Sequence, residues 1–174
     1  MKLLLLSSWF QLLWFAAVLG QQSLQWLLVF AVLITIFISV KRQSLPLIKW
    51  LSLFIVGITV DSFNQWSGLL VFSTPWLPYW LVALWGIFFW YAYQMMTIVN
   101  QYPISIVSVI GGISGGLSYY AGLKFDAVAW SYPIAMTISV LMIEWFLLCF
   151  LVIKVYQYDQ SLPAKQDTSS LPKV

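Results

Sequence analysis

Side chains able to do chemistry are scarce in this chain of 174 residues, which has no His and a single Cys, Cys149, set inside an apolar run. Zinc and iron centres need clusters of His, Cys or carboxylate, and a disulfide needs a pair. No metal, haem, internal disulfide or other cofactor is therefore expected. The same absence removes Ser-His-Asp and Cys-His catalysis. What remains is 5 Asp+Glu, and two of these, Glu144 and Asp61, fall within or against apolar runs.

Glu144 stands ten residues into a run that starts at Ile134, about 15 Å deep at ~1.5 Å per residue and so close to the middle of a bilayer. A charged side chain at that depth costs roughly 2.5–3.5 kcal/mol on insertion scales, so Glu144 should face protein. Two readings stand: a proton-carrying or substrate-binding group, or a neutral carboxyl hydrogen-bonded to another helix, with Gln11 at similar depth as its partner. Asp61 closes another run near the outer surface, with Asn64 and Gln65 three and four residues on. If a helix continues through them, all three share a face. That face would bind a headgroup or cation, or it is a helix end meeting water. Counted at ~1.5 Å per residue, Asp61 and Glu144 differ in depth by about 10–15 Å, too far for one acid–base pair.

The stretch Gly111-Gly112-Ile113-Ser114-Gly115-Gly116, followed by Ser118, Tyr119 and Gly122, overlays two small-xxx-small patterns. Gly111, Gly112, Gly115 and Gly116 thus read as a face for close helix packing. A phosphate-cradling loop would need a Lys-Ser/Thr ending, which is missing. Tyr119 and Tyr120 fall where interfacial aromatics belong, and Lys124 and Asp126 read as solvated loop charges.

The elements that must position these residues follow from composition. Hydrophobic residues make up 62% of the chain and charged ones 7%, against roughly 25% charged in soluble domains. A water-facing surface cannot be covered, so the chain is read as an integral membrane protein. Apolar runs cover about 3–19, 24–40, 45–61, 79–99, 104–123 and 134–155, each near the ~20 residues of a membrane helix. The expected fold is all-α, a polytopic transmembrane bundle of about six spans over residues 1–155. Residues 156–174 form a polar tail, expected to be disordered. Pro46, Pro78, Pro103 and Pro133 stand at the starts of the last four runs, where a missing N–H costs nothing. The first run has some features of a signal peptide, but its length and its Trp and Phe content favour a retained span.

With six spans and the N-terminus inside, Lys2, Lys41, Arg42, Lys49, Lys154, Lys165 and Lys173 are cytoplasmic and Lys124 alone is outside. The positive-inside rule then places both termini in the cytoplasm. These basic residues flank apolar runs, so the net charge of +3 signals topology and not nucleic-acid binding. The bilayer is the expected partner. No internal repeat suggests an inverted-repeat transporter, and no ring of charges suggests a channel.

Phe10-Gln11 with Trp14-Phe15, Asp61-Ser62, Leu77-Pro78 with Leu84-Trp85, and Gly115-Gly116-Leu117-Ser118-Tyr119 with Ala121-Gly122 resemble a family of small, uncharacterised bacterial inner-membrane proteins, a domain of unknown function. The resemblance reaches to about residue 155, and Gly-Leu-Ser-Tyr-x-Ala-Gly is its most specific part. It implies a multi-pass protein of a Gram-negative inner membrane without established activity. Genes for enzymes that modify fatty acyl chains often lie near such members. At Gly115-Gly116-Leu117 this chain departs from relatives that have a proline after the glycines, so a kink there does not carry over.

Two functions follow as expectations. One is an accessory protein in membrane-lipid or fatty-acyl metabolism, working with a lipid-modifying membrane-associated partner; no catalytic motif is present. The alternative is an intramembrane enzyme or carrier for a lipid or small hydrophobic molecule, using Glu144 and Asp61.

Overall fold

The computed structural model describes residues 2–160, with residue 2 and residues 158–160 described by backbone alone. They form five α-helices: α1 (Lys2–Lys41), α2 (Leu47–Trp66), α3 (Tyr79–Val99), α4 (Ile104–Lys124) and α5 (Ile134–Gln160). All five are long and apolar enough to cross a membrane. The described residues contain no β-strand, only an isolated antiparallel bridge between Val71 and Ala129. This is an all-α integral membrane bundle.

Five helices stand where six runs were expected because the first two runs are joined. A straight helix of 40 residues would be about 60 Å long, twice the ~30 Å hydrocarbon layer. It is not straight: Gln21 leaves helical geometry at φ 42, ψ −124, within the polar Gly20-Gln21-Gln22-Ser23. The Trp9 indole N–H donates to Thr35 Oγ1 at 3.1 Å, although 26 residues of unbroken helix would separate them by about 39 Å. The helix therefore turns back at Gln21 as two antiparallel arms, residues 2–20 and 22–41, each of membrane-crossing length. Contacts with other helices agree. Ser7 and Ser39, from opposite arms, hydrogen-bond to the neighbouring Tyr91 and Trp90 of α3, while Gln21 and Gln22 at the turn reach Phe125 and Ser73.

Pro46, Pro78 and Pro103 cap α2, α3 and α4, and Pro133 precedes α5. Proline fixes the φ of a first turn and loses no hydrogen bond there. Helix α2 runs on past Asp61 to Trp66, and α5 past residue 155 to Gln160, so residues 156–160 of the expected tail are helical; residues 161–174 lie outside the described part.

Helix α3 is the centre, buried along Trp80, Leu81, Trp85, Ile87, Phe89 and Met96. Both arms of α1 pack on one side of it through Leu13, Ala17, Leu28 and Val32, and α4 packs on α5. The halves meet where the Trp85 and Trp145 rings stack at 5.2 Å and where Tyr156 OH donates to the Phe89 carbonyl at 3.0 Å. The N-terminal end of α1 and the C-terminal end of α5 lie on the same side. Lys41, Arg42, Lys49 and Lys154 share that side, and Lys124 lies on the other. There the 67–78 connection folds over the end of α2, with Leu70 fully buried and its N–H bonded to the Asn64 carbonyl at 3.0 Å.

Candidate functional site

The acids lie in one polar cluster beneath an intramembrane cavity. Because α2 continues for five residues beyond Asp61 and is roofed by the 67–78 connection, Asp61 and Asn64 are each only 1% exposed. Asp61 accepts the Trp85 indole N–H from α3 at 2.7 Å. It also accepts the Tyr119 hydroxyl from α4 at 2.7 and 2.6 Å to its two oxygens. One turn further along α2, the Asn64 amide donates to Glu144 Oε2 of α5 at 2.8 Å. Four helices thus contribute to one network, as burial of polar groups in hydrocarbon demands.

Several expectations are corrected here. Asp61 does not end a helix at water, and a single side chain, Asn64, links its turn of α2 to Glu144 despite the depth difference counted along the chain. That count treated Asp61 as the last residue of a perpendicular span, whereas α2 carries on beneath the roof. Gln11 is not the partner of Glu144; it is exposed and lines the cavity. Gln65 turns away from Asp61 and Asn64 to donate to the Thr74 carbonyl at 2.9 Å, fastening the roof. Tyr119 is no interfacial belt residue but the buried donor to Asp61.

Trp85 and Tyr119 also line a cavity of about 380 Å³, within the ~300–1,000 Å³ typical of ligand sites. It opens between the first arm of α1 and α4, which Trp14 Nε1 bridges to Ser118 Oγ at 3.0 Å; at the turn of α1, Gln21 Nε2 reaches the Phe125 carbonyl just beyond α4 at 3.2 Å. Phe10, Gln11, Trp14 and Val18 supply one wall, at i, i+1, i+4 and i+8 of a helix face. Gly111, Ser114, Gly115, Ser118 and Gly122 supply the opposite wall on one stripe of α4. The floor is aromatic: Trp80, Trp85 and Phe88 of α3 with Trp145 of α5. Phe88 meets Trp145 edge-on at 5.0 Å, a favoured aromatic geometry. Gln11 and Ser114 are exposed at the mouth.

The four glycines of α4 divide between two tasks. A Cβ on Gly112 would come within 2.8 Å of the Met142 carbonyl oxygen, so Gly112, with Gly116 against Met142, brings the α4 and α5 backbones together. A Cβ on Gly115 would overlap the Trp145 indole, and one on Gly111 the Cys149 sulfur. These two glycines leave room for side chains that form the cavity wall.

Chemically, the arrangement suits an apolar guest with a few hydrogen-bonding groups at one side. Tyr119 borders the cavity with Asp61 behind it as its acceptor, and no group of three or more His, Cys, Asp or Glu able to hold a metal occurs among the described residues. The tryptophans at 14, 80, 85 and 145 escape sequence reasoning because they lie on three helices far apart in the chain. Tyr119 carries a signal: it falls three residues after Gly116 and so on the packed face of α4.

Neither a curated protein nor a solved structure matches the chain. The family model of a protein of unknown function, DUF2878, matches residues 3–151, a range that takes in the cavity and the whole Asp61–Asn64–Glu144–Tyr119 network, and the chain belongs to that family.

Proposed function

We propose that this protein binds a lipid or other small hydrophobic molecule within the membrane, in the cleft between α1 and α4, as a carrier or holding protein in membrane-lipid metabolism. The observation that carries this reading is the cavity itself: about 380 Å³, walled by Trp and Phe, and open at the level of the bilayer through a gap that α1 and α4 do not close. Lipid tails are as apolar as leucine, so bilayer helices have no hydrophobic drive to close such a gap. A guest that fills it restores the missing contacts.

The network beneath the cavity supports a binding role over a hydrolytic one. Asp61 is occupied in holding Trp85 and Tyr119, the lining of the site, and Asn64 is occupied with Glu144. The basic side chains gathered beside the termini support an orientation with both termini in the cytoplasm. Together with the sequence resemblance, this favours a bacterial inner membrane.

Native mass spectrometry of the protein released from mild detergent tests the proposal. A single bound hydrophobic molecule is expected on the wild type. Ser114→Trp, which fills the mouth, should lose it at unchanged folded yield. Equal retention by both proteins would contradict the reading.

A further inference from the structure

Resting on that binding reading, we infer that the guest is a neutral lipid whose polar group in the cleft accepts a hydrogen bond and donates none, an ester or a ketone, held by its carbonyl oxygen at Ser118.

The lining excludes a charged group. No Lys, Arg, Asp or Glu is among the residues that form it, and Asp61 stands behind it, taken up by the Trp85 indole and the Tyr119 hydroxyl. A phosphate, carboxylate or ammonium drawn into the cleft would leave water without gaining a counter-charge, and burying an unpaired charge is the costliest of all transfers. The part of the guest inside the cleft is therefore uncharged.

One polar atom of the lining has a hydrogen to give. Trp14 on α1 donates its indole N–H to Ser118 Oγ on α4 at 3.0 Å, so the Ser118 oxygen reaches between the two walls of the cleft. The hydroxyls of Thr35, Ser52, Thr59 and Ser139 each turn back on the carbonyl four residues earlier in their own helix, as helical Ser and Thr often do. That of Ser118 does not: among the described residues its bond to Trp14 is its only one. A hydroxyl carries one donor besides its acceptor lone pairs, so the Ser118 proton is left over for a guest. Accepting from the indole also strengthens that hydroxyl as a donor.

Acceptors are engaged or lie elsewhere. Ser118 Oγ already receives Trp14, the Tyr119 hydroxyl is turned to Asp61 behind the lining, and Gln11 and Ser114 are exposed at the mouth. An alcohol, a protonated fatty acid or a primary amide would carry an O–H or N–H into the cleft, and a buried donor left unmet is costly. An ester or a ketone brings no such hydrogen and offers the lone pair that the Ser118 proton lacks. The donors then run in one direction, from Trp14 to Ser118 to the guest carbonyl, and the apolar remainder of the guest lies along Phe10, Trp80 and Phe88.

The test uses two molecules of one shape, methyl nonyl ketone and the alkene in which a methylidene replaces its oxygen, as competitors of a diazirine-bearing alkane that photolabels the cleft of the full-length protein in non-ionic detergent. Comparing the ratio of their potencies between proteins cancels their unequal partition into the micelle. Ser118→Ala should lower the ketone-to-alkene ratio about fivefold, the ~1 kcal/mol of one hydrogen bond, and Ser118→Thr, which keeps the hydroxyl, should retain it. An unchanged ratio in Ser118→Ala would overturn the carbonyl inference and leave hydrophobic binding standing, whereas failure of the alkane to label the cleft at all would overturn both. A second measurement needs no variant to fold: with the ketone added below the protein concentration, its carbonyl infrared band on the wild type should lie below its frequency in alkane solvent, and a band at the alkane position would overturn the inference. Alkaline hydrolysis of the molecule carried by the purified wild type distinguishes the two sources of such a carbonyl. An ester is cleaved to an acid and an alcohol, a ketone keeps its mass, and a guest without a carbonyl oxygen would overturn the inference.

Discussion

Asp61 is the residue on which the site is built, because it ties α2 to α3 through Trp85 and to α4 through Tyr119. Removing one donor leaves a buried carboxyl short of a partner, at a cost of about 1–3 kcal/mol. Tyr119→Phe should therefore lower the thermal unfolding midpoint in detergent, whereas Tyr120→Phe, outside the network, should leave it unchanged. For Asn64 and Glu144 a double-mutant cycle is the suitable measurement: Asn64→Ala and Glu144→Gln should show a coupling of about 0.5–3 kcal/mol, and strictly additive effects would mean the 2.8 Å contact contributes nothing. The importance of these acids was legible in the sequence, since polar residues in apolar runs have few innocent explanations. Their connection was not, because depth counted along separate helices ignores where α2 ends and what covers it.

At the scale of elements, the helix starts were written in the prolines and the packing face of α4 in its glycines. Gly112 in that packed face and Gly122 near its end make opposite predictions. Gly112→Ala places a Cβ 2.8 Å from the Met142 carbonyl oxygen and should destabilise by about 1–3 kcal/mol as overpacking does. Gly122→Ala meets only Val128 Cγ1 at 3.4 Å. There the gain in helix propensity, up to about 1 kcal/mol, should leave stability equal or higher. Thermal unfolding of both variants in the same detergent checks the contrast. The cavity could not be read in advance for a physical reason. Eleven tryptophans in a membrane chain suit the interfacial belt, and only the antiparallel pairing of helices distant in sequence brings positions 14, 80, 85 and 145 to one place.

The whole molecule turns on the hairpin in α1. If the arms reverse at Gln21, the chain crosses the membrane an even number of times and Gln22, Ser73 and Lys124 share one face, opposite Ser44 and Gln101. In a Cys149→Ser background, single cysteines at 22, 73 and 124 should react with a membrane-impermeant maleimide added from one side, and cysteines at 44 and 101 only from the other. Reaction of position 22 together with position 44 would show that α1 does not reverse. The six apolar runs foreshadow this arrangement. They do not show that helical structure continues so close to the turn that the two arms form one element broken at a single residue.

The most direct measurement of the central claim, that the gap between α1 and α4 is a binding site, is the residue map of photolabelling by the diazirine-bearing alkane in the intact protein in lipid nanodiscs. Adducts should concentrate on the cleft side chains Trp14, Ser114, Ser118 and Trp145 and disappear with Ser114→Trp. Adducts confined to outward-facing side chains such as Leu12, Ile113 and Leu117, and indifferent to that substitution, would show that the cleft holds nothing.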